Sequence, residues 1–127
     1  MKVAISGSRT FEDHGLVESV VDRLLARGDR ILVGDSVFGV DRFVREYLDD
    51  HDVPRDQWQV YKAQWRVDGR FDAAGGHKRN AAMVADADEL VAIFAPGVRS
   101  PGTSNALEAA ERKGIPTHVY ENGEWLR

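Results

Sequence analysis

The sequence predicts an α/β fold, a Rossmann-like three-layer sandwich around a mainly parallel sheet of about five strands. Short apolar runs alternate along the 127 residues with stretches whose apolar side chains recur at helical spacing. Strands separated by helices imply right-handed crossovers, and such crossovers build a parallel sheet. No internal repeat, low-complexity segment or linker interrupts the alternation. Residues 1–127 are therefore expected to form a single domain.

The first half of the chain contains three predicted strands and two helices. A helix is predicted after the first strand, because an apolar stripe runs from Leu16 to Leu25 and ends before Gly28. A second helical face begins near Phe38 and closes before Pro54. The three strands of this half are Val3–Ile5, Arg30–Gly34 and Gln57–Tyr61.

The second half opens with a polar, aperiodic segment over residues 62–76, which is predicted to be a long loop. A loop of this length in a compact domain is more often functional than not. Two helices, two strands and a polar tail follow it. In chain order they are a helix over residues 77–86, the strand Glu89–Phe94, a turn-rich loop from Pro96 to Gly102, the helix Thr103–Lys113 with Gly114 just past its end, the strand Ile115–Tyr120 and the tail Glu121–Arg127.

Composition excludes several classes of protein. The absence of cysteine excludes disulfides, iron–sulfur clusters and thiolate zinc sites, and the four histidines lack zinc-ligand spacing, so no metal site is expected. No apolar run approaches the roughly 18 residues that a membrane span requires, and no secretory signal is recognisable. We therefore expect a cytoplasmic protein that does not contact membranes. The net charge of −4 argues against broad, sequence-independent binding to duplex nucleic acid, which needs a basic face, and leaves a local basic cleft open; nucleic acid is not the expected partner.

Small and polar residues follow three of the predicted strands, at the edge where open parallel sheets bind their ligands. Glycine permits close backbone approach there, and the N–H groups at the start of the last helix attract anions. Carboxylates near a helix start could accept hydrogen bonds from ribose hydroxyls, hold a metal ion or serve as caps. The candidate ligand-binding residues at these strand ends are Gly7, Ser8, Arg9, Gly34, Asp35, Gly39, Asp41, Gly102 and Thr103.

Several of these residues also have a purely structural interpretation. Capping of the last helix explains Thr103 and its neighbouring serines about as well as a ligand does, although three such loops side by side favour a ligand site. Asp41 is assigned to capping or to bracing its loop slightly ahead of ligand contact. For Asp35 neither interpretation is preferred.

Two arginines are candidate clamps for a phosphate or carboxylate, because a guanidinium binds an oxyanion through two parallel hydrogen bonds. Arg9 falls in the first turn, and Arg79 falls at the start of the third helix. Asn80, beside Arg79, is expected either to hydrogen-bond a base or ribose or to cap that helix. Among the tryptophans, Trp65 in the long loop is the candidate for stacking on a base, whereas the other two are expected to pack in the core or anchor loops.

Five short stretches follow one another from the first strand to the last, namely GSRTF (Gly7–Phe11), GDSVFGVD (Gly34–Asp41), W…G…AGGHKRNAAM (Trp65–Met83), DELVAIF (Asp88–Phe94) and PGTSNALEAAERKGIP (Pro101–Pro116). With them, nearly the whole chain resembles the YspA-like family of the SLOG superfamily. That superfamily also contains the Lonely-guy phosphoribohydrolases and the DNA-processing protein DprA. The resemblance implies a Rossmann-like domain that binds nucleotides or nucleotide-derived ligands, such as ADP-ribose-type molecules, through the candidate residues above together with Arg79 and Asn80.

The enzymatic branch of the superfamily uses a PGGxGTxxE segment and an arginine from an R-K-x-x-M segment. Arg79 and Met83 fit the second pattern, with Asn80 in place of lysine. In the first pattern Ala106 stands where the glutamate is expected, and Glu108 follows two residues later, which turns it about 200° around a helix. This departure puts phosphoribohydrolase-type catalysis in question and leaves open whether the protein is an enzyme.

Three functions follow from these observations. The first is binding or sensing of a nucleotide-derived small molecule, of the ADP-ribose/NAD type or a nucleoside phosphate, at the C-terminal ends of the strands. The second is hydrolysis of an N-glycosidic or phosphate bond in such a ligand, with Asp35, Asp41 or Glu108 as general base. Single-stranded nucleic-acid binding, as in DprA, comes last. The sequence identifies neither the ligand nor a cofactor, and it leaves a homo-oligomer open.

Overall fold

The computed structural model describes residues 1–127 and contains eight strands in two sheets. The main sheet has the order β3-β2-β1-β6-β7-β8, and every pairing in it is parallel except that of β7 with β8. The predicted fold class is confirmed, with one strand more than expected. The strands are β1 (Lys2–Gly7), β2 (Arg30–Gly34), β3 (Trp58–Tyr61), β4 (Arg66–Val67), β5 (Arg70–Phe71), β6 (Glu89–Ile93), β7 (Thr117–Glu121) and β8 (Glu124–Trp125).

Four helices cover the main sheet on both faces. The helices are α1 (His14–Ala26), α2 (Gly39–Asp50), α3 (Gly75–Asp86) and α4 (Pro101–Lys113). The first two pack on one face of the sheet and the last two on the other, so that two apolar cores form. Burial on both faces explains why the central strands are continuous apolar runs rather than alternating patterns. None of the four helices is long and apolar enough to span a membrane.

The helix ends follow local signals in the sequence. Asp13 caps α1, because its carboxylate accepts a hydrogen bond from the N–H of Leu16 at 3.1 Å. Pro101 opens α4 two residues before the predicted start, which suits a residue that has no N–H to leave unpaired. Helix α3 likewise begins two residues early, at Gly75.

Two segments that the sequence presents as irregular contain strands. Residues 62–76 include the antiparallel hairpin β4–β5, and the C-terminal tail contributes β8 to the edge of the main sheet. These strands are two residues long, which is too short to show an alternating pattern. Trp125 lies in β8 and is exposed, contrary to the expectation of a core or loop-anchoring position, although its ring meets that of Tyr120 edge-on at 5.2 Å.

The order of the strands places the site. The chain moves outward from β1 through β2 to β3, and then crosses back to β6 on the other side of β1. The loops that leave the carboxyl ends of β1 and β6 therefore diverge to opposite faces and open a crevice between them.

Candidate functional site

A cleft of about 410 Å³ opens at the carboxyl ends of β1 and β6. Its walls come from the loop after β1, the starts of α2, α3 and α4, and the residue before β4. Seven of the predicted binding residues line it, namely Gly7, Arg9, Asp41, Arg79, Asn80, Gly102 and Thr103. Polar or aromatic lining residues that were not among the predicted binding set include Ser6, Thr10, Ser36, Trp65, His77 and Ser100.

The start of α4 forms one wall, and two of its backbone N–H groups have no acceptor within the chain. Ser100 occupies the N-cap position, but its side chain makes no capping hydrogen bond. Its hydroxyl lies 3.3 Å from that of Ser8, which also accepts the N–H of Ala95 at 3.0 Å. The backbone N–H groups of Gly102 and Thr103 consequently donate to no acceptor in the chain. Capping therefore does not account for this loop.

The start of α2 forms the opposite wall, and side chains from α2 bond to the loop that precedes it. Arg45 donates to the carbonyl oxygens of Gly34 at 2.7 Å and Ser36 at 2.8 Å. Asp41 accepts the N–H of Ser36 at 3.4 Å, so it braces this loop as expected. The carboxylate approaches β2 closely, because a Cβ at Gly34 would stand 2.5 Å from Asp41 Oδ2. A side chain at position 34 would push Asp41 away.

A chain of hydrogen bonds joins the two walls beneath the cleft. Arg79 Nη1 donates to Asp35 Oδ1 at 2.7 Å, and its Nε donates to Asn80 Oδ1 at 3.0 Å. The amide nitrogen of Asn80 then donates to the carbonyl oxygen of Gly102 at 3.1 Å. Asn80 lies inside α3 and does not cap it. Arg79, with a side chain only 8% exposed, is held by Asp35 and positions both walls.

Burial raises the pKa of Asp41 from 3.8 to about 6, while the nearby positive charges of Arg79 and Arg45 and the hydrogen bond from Ser36 oppose the rise. A carboxyl group with this pKa can exchange a proton near neutral pH. It also presents less negative charge to an anion in the cleft as the pH falls below 6. No group of three or more His, Asp or Glu side chains is arranged to hold a metal ion.

Arg9 is the cation of the site that remains free. It is exposed at the cleft, and it makes no ion pair or side-chain hydrogen bond within the chain. Its backbone is fixed by Gly39, whose φ of +69° and close approach to the carbonyl oxygen of Ser8 leave no room for a side chain. Gly39 and Ser8 thus position the loop but do not line the cleft.

A second cavity of about 350 Å³ adjoins the first. It shares Arg9, Ser36, Trp65 and Arg79 with the main cleft and adds Asp35, Val37 and Phe38. The Trp65 ring packs on the start of α3, where a Cβ at Gly76 would meet it at 3.2 Å. Trp65 and Phe71 stack nearly parallel, with ring centroids 6.2 Å apart. Trp65 therefore links the hairpin β4–β5 to both cavities.

Helix α4 separates the two residues that mark the departure from the enzymatic pattern. Ala106 is fully buried beneath the cleft, whereas Glu108 is exposed and lines neither cavity. The predicted rotation of Glu108 away from the site is therefore present in the helix. Glu108 is in no position to act as the general base.

Another cleft, of about 380 Å³, lies between α1 and β7, away from these strand ends. It contains none of the predicted binding residues. Its buried carboxylate, Glu89, is already paired with Arg27 at 3.2 Å and lies 3.3 Å from His118. This arrangement is a structural ion-pair network, so the candidate site stays at the β1–β6 crevice.

The family model described as YAcAr (YspA, cpYpsA-related SLOG family) matches residues 1–67, more than half of the chain. The chain belongs to the YAcAr family. Membership supports a nucleotide-related ligand-binding role in general. No curated protein matches the chain closely.

A solved structure of DNA processing protein A from Helicobacter pylori, described as showing a unique single-stranded DNA binding mode, has the same fold as this YAcAr member. The TM-score is 0.71 at 18% sequence identity, and the match covers 94% of this chain and 64% of that chain. The chain therefore spans less than two thirds of the length of that protein.

This comparison contradicts the expectation that ranks nucleic acid last among the partners. That expectation rested on the net charge of −4, which averages over the whole surface. Residues 62–79 contain five basic and two acidic side chains, a local charge of +3 next to the cleft. The overall charge therefore does not describe the surface that a ligand would meet.

Proposed function

We propose that the protein binds a nucleotide-derived small molecule, of the ADP-ribose/NAD type or a nucleoside phosphate, in the β1–β6 cleft. The observation that carries the proposal is the pair of free N–H groups at Gly102 and Thr103 facing the same cleft as the unpaired Arg9. A helix start and a guanidinium together suit a phosphate group. Family membership supports a ligand of this chemistry.

The other residues of the site suit the remainder of such a ligand. The hydroxyls of Ser6 and Thr103, which are 3.4 Å apart, and the carboxylate of Asp41 lie on the cleft wall. They offer acceptors for sugar hydroxyl groups next to the phosphate position. The small residues at the start of α4 leave space for close approach, since the nearest atom to a Cβ at Gly102 would be 3.5 Å away.

Thermal denaturation in the presence of candidate ligands tests the proposal. The panel is AMP, ADP-ribose, cyclic ADP-ribose and NAD, with adenosine as the control that lacks phosphate. A ligand at 100 times its Kd stabilises the folded state by about 2.7 kcal/mol, which shifts the midpoint by several degrees for a chain of this size. If none of the four phosphate compounds shifts the midpoint of the folded protein, the proposal is wrong.

Turnover of the bound ligand is the alternative, and Asp41 is the observation that favours it. With a pKa of about 6 and a position on the cleft wall, Asp41 is the carboxyl group suited to general acid–base chemistry. Long incubation of each ligand followed by mass spectrometry would reveal cleavage. Asp41→Asn should abolish any cleavage, and Glu108→Gln should leave it unchanged. Unchanged ligand throughout would restrict the protein to binding.

A second candidate partner is single-stranded nucleic acid. Besides the fold shared with the DNA-binding relative, the hairpin β4–β5 presents Arg66 and Arg70, which make no ion pair, beside the exposed Phe71. Basic and aromatic side chains in this combination hold a phosphate backbone and stack on its bases.

Fluorescence anisotropy with a labelled oligo-dT tests this candidate at two salt concentrations. Removal of two phosphate contacts by Arg66→Gln with Arg70→Gln should weaken binding and flatten its salt dependence. Arg23→Gln with Arg112→Gln removes the same charge elsewhere and should have little effect. Equal losses in the two double variants would indicate attraction without a site on the hairpin.

A further inference from the structure

Exposed apolar side chains are concentrated around the mouth of the cleft. Of the nine large hydrophobic residues that are exposed, Val37, Phe38 and Trp65 line the second cavity and Val98 lines the first, while Val67 and Phe71 lie on the adjoining hairpin. Soluble proteins seldom gather exposed apolar surface in one place unless it binds something.

The second cavity has the composition of a base-binding compartment. It combines the aromatic rings of Trp65, 40% exposed, and Phe38, 60% exposed, with the guanidinium of Arg9. Aromatic and guanidinium planes are the surfaces on which nucleobases stack. Asp35 adds an acceptor, because its Oδ1 receives the bonds from Arg79 and Ala63 while its Oδ2 receives none from the chain.

The two cavities adjoin, since they share four lining residues. Arg9 borders both and can reach the junction between them. A ligand whose phosphate lies at the start of α4 would therefore direct its other end toward Trp65 and Phe38. This geometry suits a phosphate, a sugar and an aromatic base in that order.

We propose that the second cavity holds the nucleobase of the ligand, stacked on Trp65 on the Phe38 side, with Asp35 accepting a hydrogen bond from a base amino group or a ribose hydroxyl. The assignment rests on the proposed function of the main cleft and makes the ligand a complete nucleotide rather than a sugar phosphate or pyrophosphate.

The platform for the base exists before a ligand arrives. The Trp65 ring lies against Gly76, and a Cβ at Gly75 would stand 2.5 Å from the carbonyl oxygen of Gln64, so the segment is pressed onto the start of α3. The Trp65 ring also lies nearly parallel to that of Phe71, with centroids 6.2 Å apart. A ring held in this way loses little conformational entropy when a base stacks on it.

Calorimetric titration with AMP, ADP-ribose and ribose 5-phosphate tests the assignment. Trp65→Ala should weaken the binding of AMP and ADP-ribose by about 10- to 100-fold, the range expected for loss of one stacked base. The affinity for ribose 5-phosphate should change less than about 2-fold. Trp65→Phe, which keeps an aromatic face, should recover most of the loss. An equal loss for all three compounds, or no loss for the nucleotides, overturns the assignment of the base.

Tryptophan fluorescence gives a second measurement that does not depend on the alanine variant folding. AMP should quench the emission of the wild-type protein and of Trp125→Phe, and the quenching should disappear in Trp65→Phe. Persistent quenching in Trp65→Phe overturns the base compartment. If no compound binds the wild-type protein in either measurement, the proposed function fails together with this inference, whereas binding without dependence on Trp65 refutes the inference alone.

Discussion

Three helices begin at the cleft, and the first turns of two of them, α2 and α4, present different groups to it. At the start of α4, Gly102 and Thr103 keep their N–H groups free, and Ser100 turns its hydroxyl toward Ser8. At the start of α2, Val40 donates to the carbonyl oxygen of Ser8, and Asp41 supplies a carboxylate inside the first turn. Arg45, one turn further along α2, donates hydrogen bonds to two carbonyl oxygens at the end of β2 and in the loop that follows it.

The difference between the two first turns indicates which helix start can bind an anion. A carboxylate in the first turn occupies the place that an anionic ligand would take, because both are attracted by the same N–H groups and helix dipole. We therefore expect an anionic ligand to bind at the start of α4 rather than at the start of α2, where the Asp41 carboxylate already lies. Similar glycine-rich and serine-rich sequences at two strand ends can thus have different functions, according to which partners the fold supplies.

Placing a carboxylate at the N-cap of α4 should have the largest effect on ligand affinity. Ser100→Asp places a carboxylate at the N-cap, where it can accept the N–H groups of Gly102 or Thr103. We expect the affinity for AMP to fall more than about 100-fold while the thermal midpoint stays the same or rises, since a capping carboxylate stabilises a helix by about 1 kcal/mol.

Ser100→Ala is the matched control, because it also removes the bond to Ser8 but adds no carboxylate. Its affinity should remain within a few-fold of the wild-type value in the same titration. Wild-type affinity in Ser100→Asp would show that the phosphate does not lie at α4.

Removing the Asp41 carboxylate at the start of α2 should alter the pH dependence of the free energy of unfolding. The pKa of Asp41 is about 6 in the folded state, above its ordinary value of 3.8, so the folded state holds a proton that the unfolded state releases between these pH values. Stability from this group is therefore present below pH 4 and falls by roughly 2 to 3 kcal/mol as the pH rises through 6.

Urea denaturation of the wild type and of Asp41→Asn between pH 4 and pH 7 measures this contribution. The variant should match the wild type near pH 4 and exceed its free energy of unfolding at pH 7. Parallel curves for the two proteins would mean that Asp41 titrates at its ordinary pKa.

Arg9 should contribute to affinity without contributing to stability. It makes no ion pair within the chain, so Arg9→Ala is expected to leave the thermal midpoint within about one degree of the wild type. The affinity for AMP should fall about 10- to 100-fold, the range for a hydrogen bond to a charged group. Arg23→Ala, an exposed arginine on α1, serves as the control and should bind as the wild type does. Retained affinity in Arg9→Ala would place the phosphate elsewhere.

The sequence predicts the strands and helices well where the pattern is long. The continuous apolar run from Leu90 to Ile93 predicts a strand buried on both faces, and the apolar stripe of α1 predicts a helix buried on one face. The hairpin β4–β5 and strand β8 cannot be predicted from the sequence pattern, because pairing between two-residue segments depends on where the rest of the chain places them.

The positions of the site residues are predictable in part, but their hydrogen-bond partners are not. Loop positions after strands identify Arg9 and Gly102 as neighbours in space, because parallel strands end at one edge. Whether a polar group there is free or satisfied depends on side chains from other elements. The bond of Ser8 to Ser100 joins residues 92 positions apart, and that of Arg79 to Asp35 joins residues 44 apart. No local pattern contains that information.

The hairpin β4–β5 lies in the crossover between β3 and α3 and does not pair with the main sheet. The Trp65 ring packs against Gly76, and the exposed residues Arg66 to Phe71 take no part in either apolar core. We therefore expect substitutions in this segment to leave the cores and the free energy of unfolding nearly constant, even where they change the binding proposed for the adjoining cavities. On the proposed function, ligand selectivity and folding would depend on separate parts of the chain.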